Sequence, residues 1–110
     1  MTDLFFNWDE IEWIKVDANI RRKQIWLDKL MHVLVEIKAG GKAPKHNHPH
    51  EQTGYLLQGT LKVFMGDEVK IISAGEGYLV PPNVYHGVEV IGETDALIFD
   101  TFTPQREDFK

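Results

Sequence analysis

The chain has 110 residues, one domain's worth of hydrophobic core. Its 17 acidic and 12 basic side chains give a net charge of −5, a field that repels a phosphate backbone and argues against nucleic acid as a partner. With no cysteine, disulfides, thiolate metal ligands and a cysteine nucleophile are excluded.

The opening MTDLFFNWDE has no basic region followed by an apolar stretch, so no signal peptide is expected. No apolar run approaches the roughly 18 residues a membrane span needs, and cytoplasm is the default location. Residues 8–16 fit a short helix or an edge strand, and the pattern does not decide between them. Arg21-Arg22-Lys23 is the only basic cluster. It reads as a solvated edge strand that resists aggregation, the alternative being a reach into a partner subunit's cavity.

From Leu30 to Lys38 the sequence alternates, with Met31, Val33, Val35 and Ile37 on one face, until Gly40-Gly41 breaks the run. Residues 55–58 and 61–64 flank Gly59-Thr60 as a tight hairpin, and 69–73 follow the Gly66-Asp67 turn. Residues 78–80 end at Pro81-Pro82, and 87–91 and 97–102 are joined by a turn over 92–95. About seven or eight short strands so spaced predict an all-β sandwich or barrel. No repeat, linker or long helical periodicity interrupts them, so residues 1–110 are expected to form one domain.

Three of the five histidines, His46, His48 and His50, fall in PKHNHPHEQ. Imidazole is the commonest protein metal ligand, and residues two apart on an extended segment share a side. A short His-rich loop can equally be solvated. The wider spacing is more specific. Gly40 is followed after five residues by His46, then His48, then Gln52 after three more, then Gly59 after six. Gly75 is followed after five residues by Pro81, then Asn83, then His86 after two more.

These two blocks, about 40–59 and 75–90, resemble the two motifs of the cupin superfamily, and the resemblance covers roughly residues 29–102. It implies a cupin barrel (double-stranded β-helix, or jelly roll) whose closure brings His46, His48, Gln52 and His86 together around one divalent transition metal ion. Nitrogen and oxygen ligands suit manganese, iron, nickel, cobalt, copper or zinc alike. Two positions depart from the pattern. Gln52 stands where most cupins carry Glu, which leaves the metal's charge uncompensated and favours an anionic ligand. Asn83 stands in place of Gly, and Asn tolerates positive φ better than most residues. Glu51, next to Gln52, is expected to point to the opposite face. His50 is read as a rim or structural residue, and His32 as a strand residue without a role.

The C-terminal LIFDTFTPQREDFK places Asp100 and Phe102 on one face of the last strand. Arg106 either folds over the barrel mouth or pairs with Glu107 or Asp108 on the surface. HNHPHEQTGYLLQG together with DTFTPQREDF is similar to the pectin-degradation cupins of the KdgF type. Those proteins convert 4,5-unsaturated monouronates to linear 5-keto-4-deoxyuronate, an isomerase- or tautomerase-like ring opening. The resemblance implies metal ligands His46, His48, Gln52 and His86, working residues Asp100, Phe102 and Arg106, an unsaturated uronate as anionic substrate, and a homodimer. In that chemistry Asp100 acts as general base and then acid, Arg106 orients the carboxylate, and Phe102 offers an apolar wall. Tyr55, Tyr78 and Gln58 are further candidates for the cavity wall. A metal-dependent dioxygenase, a polyketide cyclase and a non-enzymatic small-molecule-binding cupin are the alternatives.

Overall fold

The alternation in the sequence becomes two antiparallel sheets whose apolar faces meet. The computed structural model describes residues 4–110. Its strands are β1 (Ile14–Lys15), β2 (Ile20–Trp26), β3 (Met31–Ile37), β4 (Lys42–His46), β5 (Glu51–Gln58), β6 (Thr60–Met65), β7 (Glu68–Ser73), β8 (Gly77–Val80), β9 (His86–Val90) and β10 (Ala96–Thr103). Six lie in the order β1-β2-β3-β10-β5-β8 and four in the order β4-β9-β6-β7. Between the sheets Ile37, Leu56, Leu61, Val88 and Ile98 are packed out of water. Burying such side chains stabilises by about 1.5–3 kcal/mol each. The all-β jelly roll expected from the sequence is the fold observed.

Strand parity decides what enters the interior. On β10 every second residue is buried, giving Ala96, Ile98, Asp100 and Phe102. On β5 the same rule selects Gln52, Gly54 and Leu56, and leaves Glu51 and Tyr55 exposed. In register, Asp100 faces Gly54 on β5 and Phe102 faces Gln52. Across the other sheet His46 pairs with His86. Each sheet thus delivers polar side chains into one end of an otherwise apolar interior.

The N-terminal segment contains both features that its sequence left open, a 3-10 turn at Trp8–Glu10 and the short strand β1. Asn7 caps the turn, its side-chain oxygen accepting from the Asp9 amide at 3.0 Å. Trp8 then packs edge-on against Phe99, covering the outer face of this chain's own six-stranded sheet. The basic cluster is not the solvated edge strand expected, because β1 pairs outside β2 at Arg21 and Arg22 and the alternation along β2 divides the three residues between two faces. Arg21 forms a fork with Glu36 at 2.8 and 3.0 Å. Lys23, only 6% exposed, donates to the Trp8 carbonyl at 2.6 Å. Arg22, of opposite parity, faces Val35 in register and points inward.

After β10 the chain closes over the barrel end through a 3-10 turn at Glu107–Phe109. The Gln24 side-chain amide donates to the Phe109 carbonyl, and the Phe109 ring meets Phe102 edge-on at 5.8 Å. Among the described residues no helix is long and apolar enough to cross a membrane.

Glycine makes one close approach possible. Tyr78 on β8 lies across Gly54 on β5, where a Cβ would run into the phenol ring. On the neighbouring strand a Cβ at Gly77 would run into the Gly54 carbonyl oxygen, which is backbone and cannot swing away. Gly77→Ala is therefore expected to lower stability by about 1–3 kcal/mol, the usual cost of overpacking, measured as a reduced urea midpoint with an unchanged slope.

Candidate metal centre

The strand ends place three imidazoles around one point. His46 closes β4, His86 opens β9, and their ring centroids are 4.5 Å apart. His48, two residues beyond His46, lies 5.4 Å from it and 4.9 Å from His86. One ring nitrogen from each falls within 4.8 Å of the others, a spacing that fits a shared metal ion. The Asn83 amide, at φ 65°, donates to the His48 carbonyl at 2.8 Å and ties the two histidine-bearing loops together. Asn in the former glycine position thus adopts the left-handed turn expected of it.

The tautomers are set by the backbone. Nδ1 of His46 lies 3.0 Å from the Pro44 carbonyl, Nδ1 of His48 3.2 Å from the His50 carbonyl, and Nδ1 of His86 2.8 Å from the Val84 carbonyl. A carbonyl only accepts, so each Nδ1 carries a proton, which leaves Nε2 as the ring nitrogen that can offer a lone pair. Burial pushes the His86 pKa down to about 4 and that of His48 below its ordinary value. Both imidazoles are therefore neutral, the form that ligates.

The donor set fits a cation on two further observations. Nε2 of His86 is buried without a hydrogen-bond partner. Gln52 donates from its amide nitrogen to Asp100 Oδ1 at 3.1 Å, which turns its Oε1 toward His48 Nε2 at 3.0 Å. Two acceptors face each other there, and a positive ion between them removes the conflict. Histidine Nδ1–H bonds to carbonyls are the usual supports of such ligands.

Asp100 stands beside this cluster, buried on the inward face of β10. Its Oδ1 accepts from Gln52 and, at 3.3 Å, from the Tyr78 hydroxyl. Burial raises its pKa to about 6, against the opposing pull of those two bonds and of the Arg106 charge. Burial likewise raises Tyr78 well above the ordinary phenol value. Phe102 packs edge-on against His48 at 5.7 Å.

Arg106 does both things its sequence position allowed. It grips Asp108 through two bonds of 3.0 and 2.7 Å, and its guanidinium lies over Phe109 and Phe102 at 4.4 and 5.4 Å. A cavity of about 270 Å³ joins these groups, with His46, His86 and Gln52 at one side, Asp100 and Tyr78 on the wall, and Arg106 and Phe109 bounding it.

Other candidates lie elsewhere. His50 packs behind the cluster, edge-on to His48 and Phe102. His32 is on the outer face, 3.0 Å from the Thr101 hydroxyl. Tyr55 is exposed, and Gln58 leaves the interior at the register shift near Leu97 to bond the Asp95 carbonyl at 3.0 Å. Arg22 and Phe109 line the cavity without having been singled out for it in the sequence. Arg22's parity becomes readable only once β2 is known to pair with β3.

Residues 33–102 match the family model described as a cupin domain, and the chain belongs to the cupin family. Within that family it is 37% identical over 107 residues to the pectin degradation protein KdgF of Dickeya dadantii, the alignment covering 96% of each chain. Among solved structures it is similar to KdgF from Halomonas sp., with 34% identity, a TM-score of 0.91 and coverage of 96% of this chain and 99% of that one. It is also similar to an RmlC-like cupin from Shewanella frigidimarina, with 29% identity, a TM-score of 0.92 and coverage of 99% and 97%.

Two outcomes are expected. A divalent transition metal should raise the thermal unfolding temperature of the wild type but not of the His48→Ala/His86→Ala double variant, with elemental analysis showing the matching loss of metal. Unchanged metal content in that variant would refute the site. Asp108 offers a separate test. The Arg106 bond holds its carboxyl below the ordinary value, so it contributes stability above the unfolded pKa that is lost as pH falls through the folded one. With Asp108 largely exposed, the gap between wild type and Asp108→Asn should be under about 1 kcal/mol at pH 7 and close below about pH 4 in urea titrations.

Proposed function

We propose that the protein opens the ring of 4,5-unsaturated monouronates derived from pectin or alginate, giving linear 5-keto-4-deoxyuronate. One observation carries the reading: a buried carboxyl, Asp100, is hydrogen-bonded to the side chain that completes a metal-type donor set, inside a cavity bounded by Arg106. Its support is the likeness to a pectin degradation protein along nearly the whole chain.

In this reading Nε2 of His46, His48 and His86 and Oε1 of Gln52 would hold one divalent transition metal ion. When bound, the ion supplies Lewis acidity toward the uronate's carboxylate or ring oxygen. Asp100 carries the proton. Both of its hydrogen bonds go to Oδ1, which leaves Oδ2 for the substrate. With its pKa raised to about 6, the carboxylate is ionised at neutral pH yet close to balance for proton transfer. Oδ2 takes the proton of the C1 hydroxyl as the C1–ring-oxygen bond breaks. The bond's electron pair stays on the ring oxygen, giving an aldehyde at C1 and an enolate across C4, C5 and that oxygen. Returning the proton to C4 leaves a ketone at C5, so atoms and charge balance without a further reagent. Tyr78 and Gln52 hold the carboxyl in place, Phe102 provides an apolar wall, and Arg106 attracts the substrate carboxylate in place of Asp108.

Pairing into a homodimer and a cytoplasmic location belong to the same proposal. Leu4, Phe6 and Leu27, exposed around one apolar depression beside Trp26, are the surface a second copy would cover. A dioxygenase would need neither Asp100 nor Arg106 in the cavity.

The conjugated C=C bond of the substrate absorbs in the ultraviolet, and its loss reports the reaction. Metal-loaded wild type is expected to accelerate that loss, with Asp100→Ala slower by roughly 10²–10⁴-fold. Equal rates for wild type and Asp100→Ala would refute ring opening by this site.

A further inference from the structure

The cavity holds a second cation that the proposed chemistry has not used. Arg22 lies on the inward face of β2, opposite Val35, and lines the same cavity as Arg106. The two guanidinium carbons sit 4.0 and 4.4 Å from the centroid of one ring, that of Phe109. Their electrostatic states differ. Arg106 has its fork filled by Asp108. Arg22 makes one long bond of 3.3 Å, from Nε to the neutral Gln24 Oε1. Among the described residues no carboxylate stands within ion-pair distance of it.

A guanidinium cannot shed its charge, and its planar edge matches a carboxylate. Burial lowers the Arg22 pKa, with the Asp108 charge opposing and Arg106 adding to the fall. A half-buried cation facing a cavity, with no carboxylate against it among the described residues, is a cost to the fold that an anionic ligand relieves. The Phe109 stack accounts for the flat face of Arg22, and among the described residues its Nη edge has no hydrogen-bond partner.

We propose that Arg22 is the specificity-determining residue for the ligand's carboxylate: its free guanidinium edge closes on that group, so that a uronate is retained and the corresponding neutral sugar is not. The inference takes the identity of the ligand from the ring-opening reading and otherwise rests on Arg22's own surroundings. Arg106 then contributes once its Asp108 partner is exchanged for the same carboxylate, while Arg22 has no carboxylate partner among the described residues to give up.

Isothermal titration of the metal-loaded protein with D-galacturonate and with D-galactose tests this without turnover. Arg22→Gln is expected to weaken galacturonate binding roughly tenfold or more and leave galactose unchanged. Arg22→Lys, which keeps the charge but not the fork, should lose less. With an unsaturated uronate, KM should rise in Arg22→Gln while kcat stays within about twofold. Circular dichroism checks the fold of each variant, and if Arg22→Gln does not fold, the Lys variant carries the same comparison.

Wild-type affinity for galacturonate in the folded variant, or an equal loss for both sugars, would overturn the proposal, the second outcome marking Arg22 as a mere prop for Phe109. A wild type that binds no galacturonate would overturn it as well. The two readings fail separately. Binding through Arg22 without turnover refutes ring opening alone, whereas turnover with unchanged KM in Arg22→Gln refutes Arg22 alone.

Discussion

The hydrogen bond from the Gln52 amide nitrogen to Asp100 is the contact on which the polar interior depends. An amide has two unlike ends, so committing the nitrogen to Asp100 commits the oxygen to the histidines. A glutamate there would present a second carboxylate to Asp100 and raise the cost of ionising either. The neutral amide separates the roles. Its oxygen faces the histidine cluster, while its nitrogen steadies Asp100, the buried carboxyl among the described residues. Both residues sit on adjacent strands whose register brings β5 and β10 side by side, so a contact between residues 52 and 100 is as reproducible as the sheet itself.

Charge is distributed against the global balance. The molecule carries −5 overall, yet its cavity gathers two guanidinium groups, Arg22 and Arg106, beside imidazoles and an amide, with Asp100 buried in its wall and the exposed Asp17 at its edge. Local sign in a low-dielectric pocket outweighs distant surface charge, which water and salt screen. Phe102 and Phe109 keep that pocket apolar at its mouth, and the arginines lie on ring faces where cation–π attraction offsets part of their lost hydration.

Much of this was readable before any coordinates. The spacing of His46, His48 and His86, matched to the cupin motifs, points to the histidine-bearing loops and to Gln52, and parity sets Glu51 on the opposite face and pairs Asp100 with Phe102. Asn83 in a glycine position forecast a left-handed turn, and φ is 65°. The rest depended on pairing that one strand cannot reveal. Nothing in Arg21-Arg22-Lys23 says that β1 will lie outside it, so three cations in a row read as solvated when one is in fact interior and another buried. The strand β4 is not legible in KAPKH, which lacks apolar alternation and carries Pro44 at its centre. The tautomer-fixing carbonyls of Pro44, His50 and Val84 come from backbone geometry, to which side-chain identity gives little clue.

The Asn83 amide bond to the His48 carbonyl has a consequence for how the site comes into being. The ligands lie on segments some thirty-five residues apart in the chain, and this bond exists only after both strands flanking it have docked. Closing so long an interval costs entropy that local structure cannot repay in advance. His46, His48 and Gln52 come from one stretch of chain, so it is His86 that the finished barrel adds to complete the cluster. An ion captured there would act as a latch on the last closure, and its escape would report opening at this seam before the sheets themselves part.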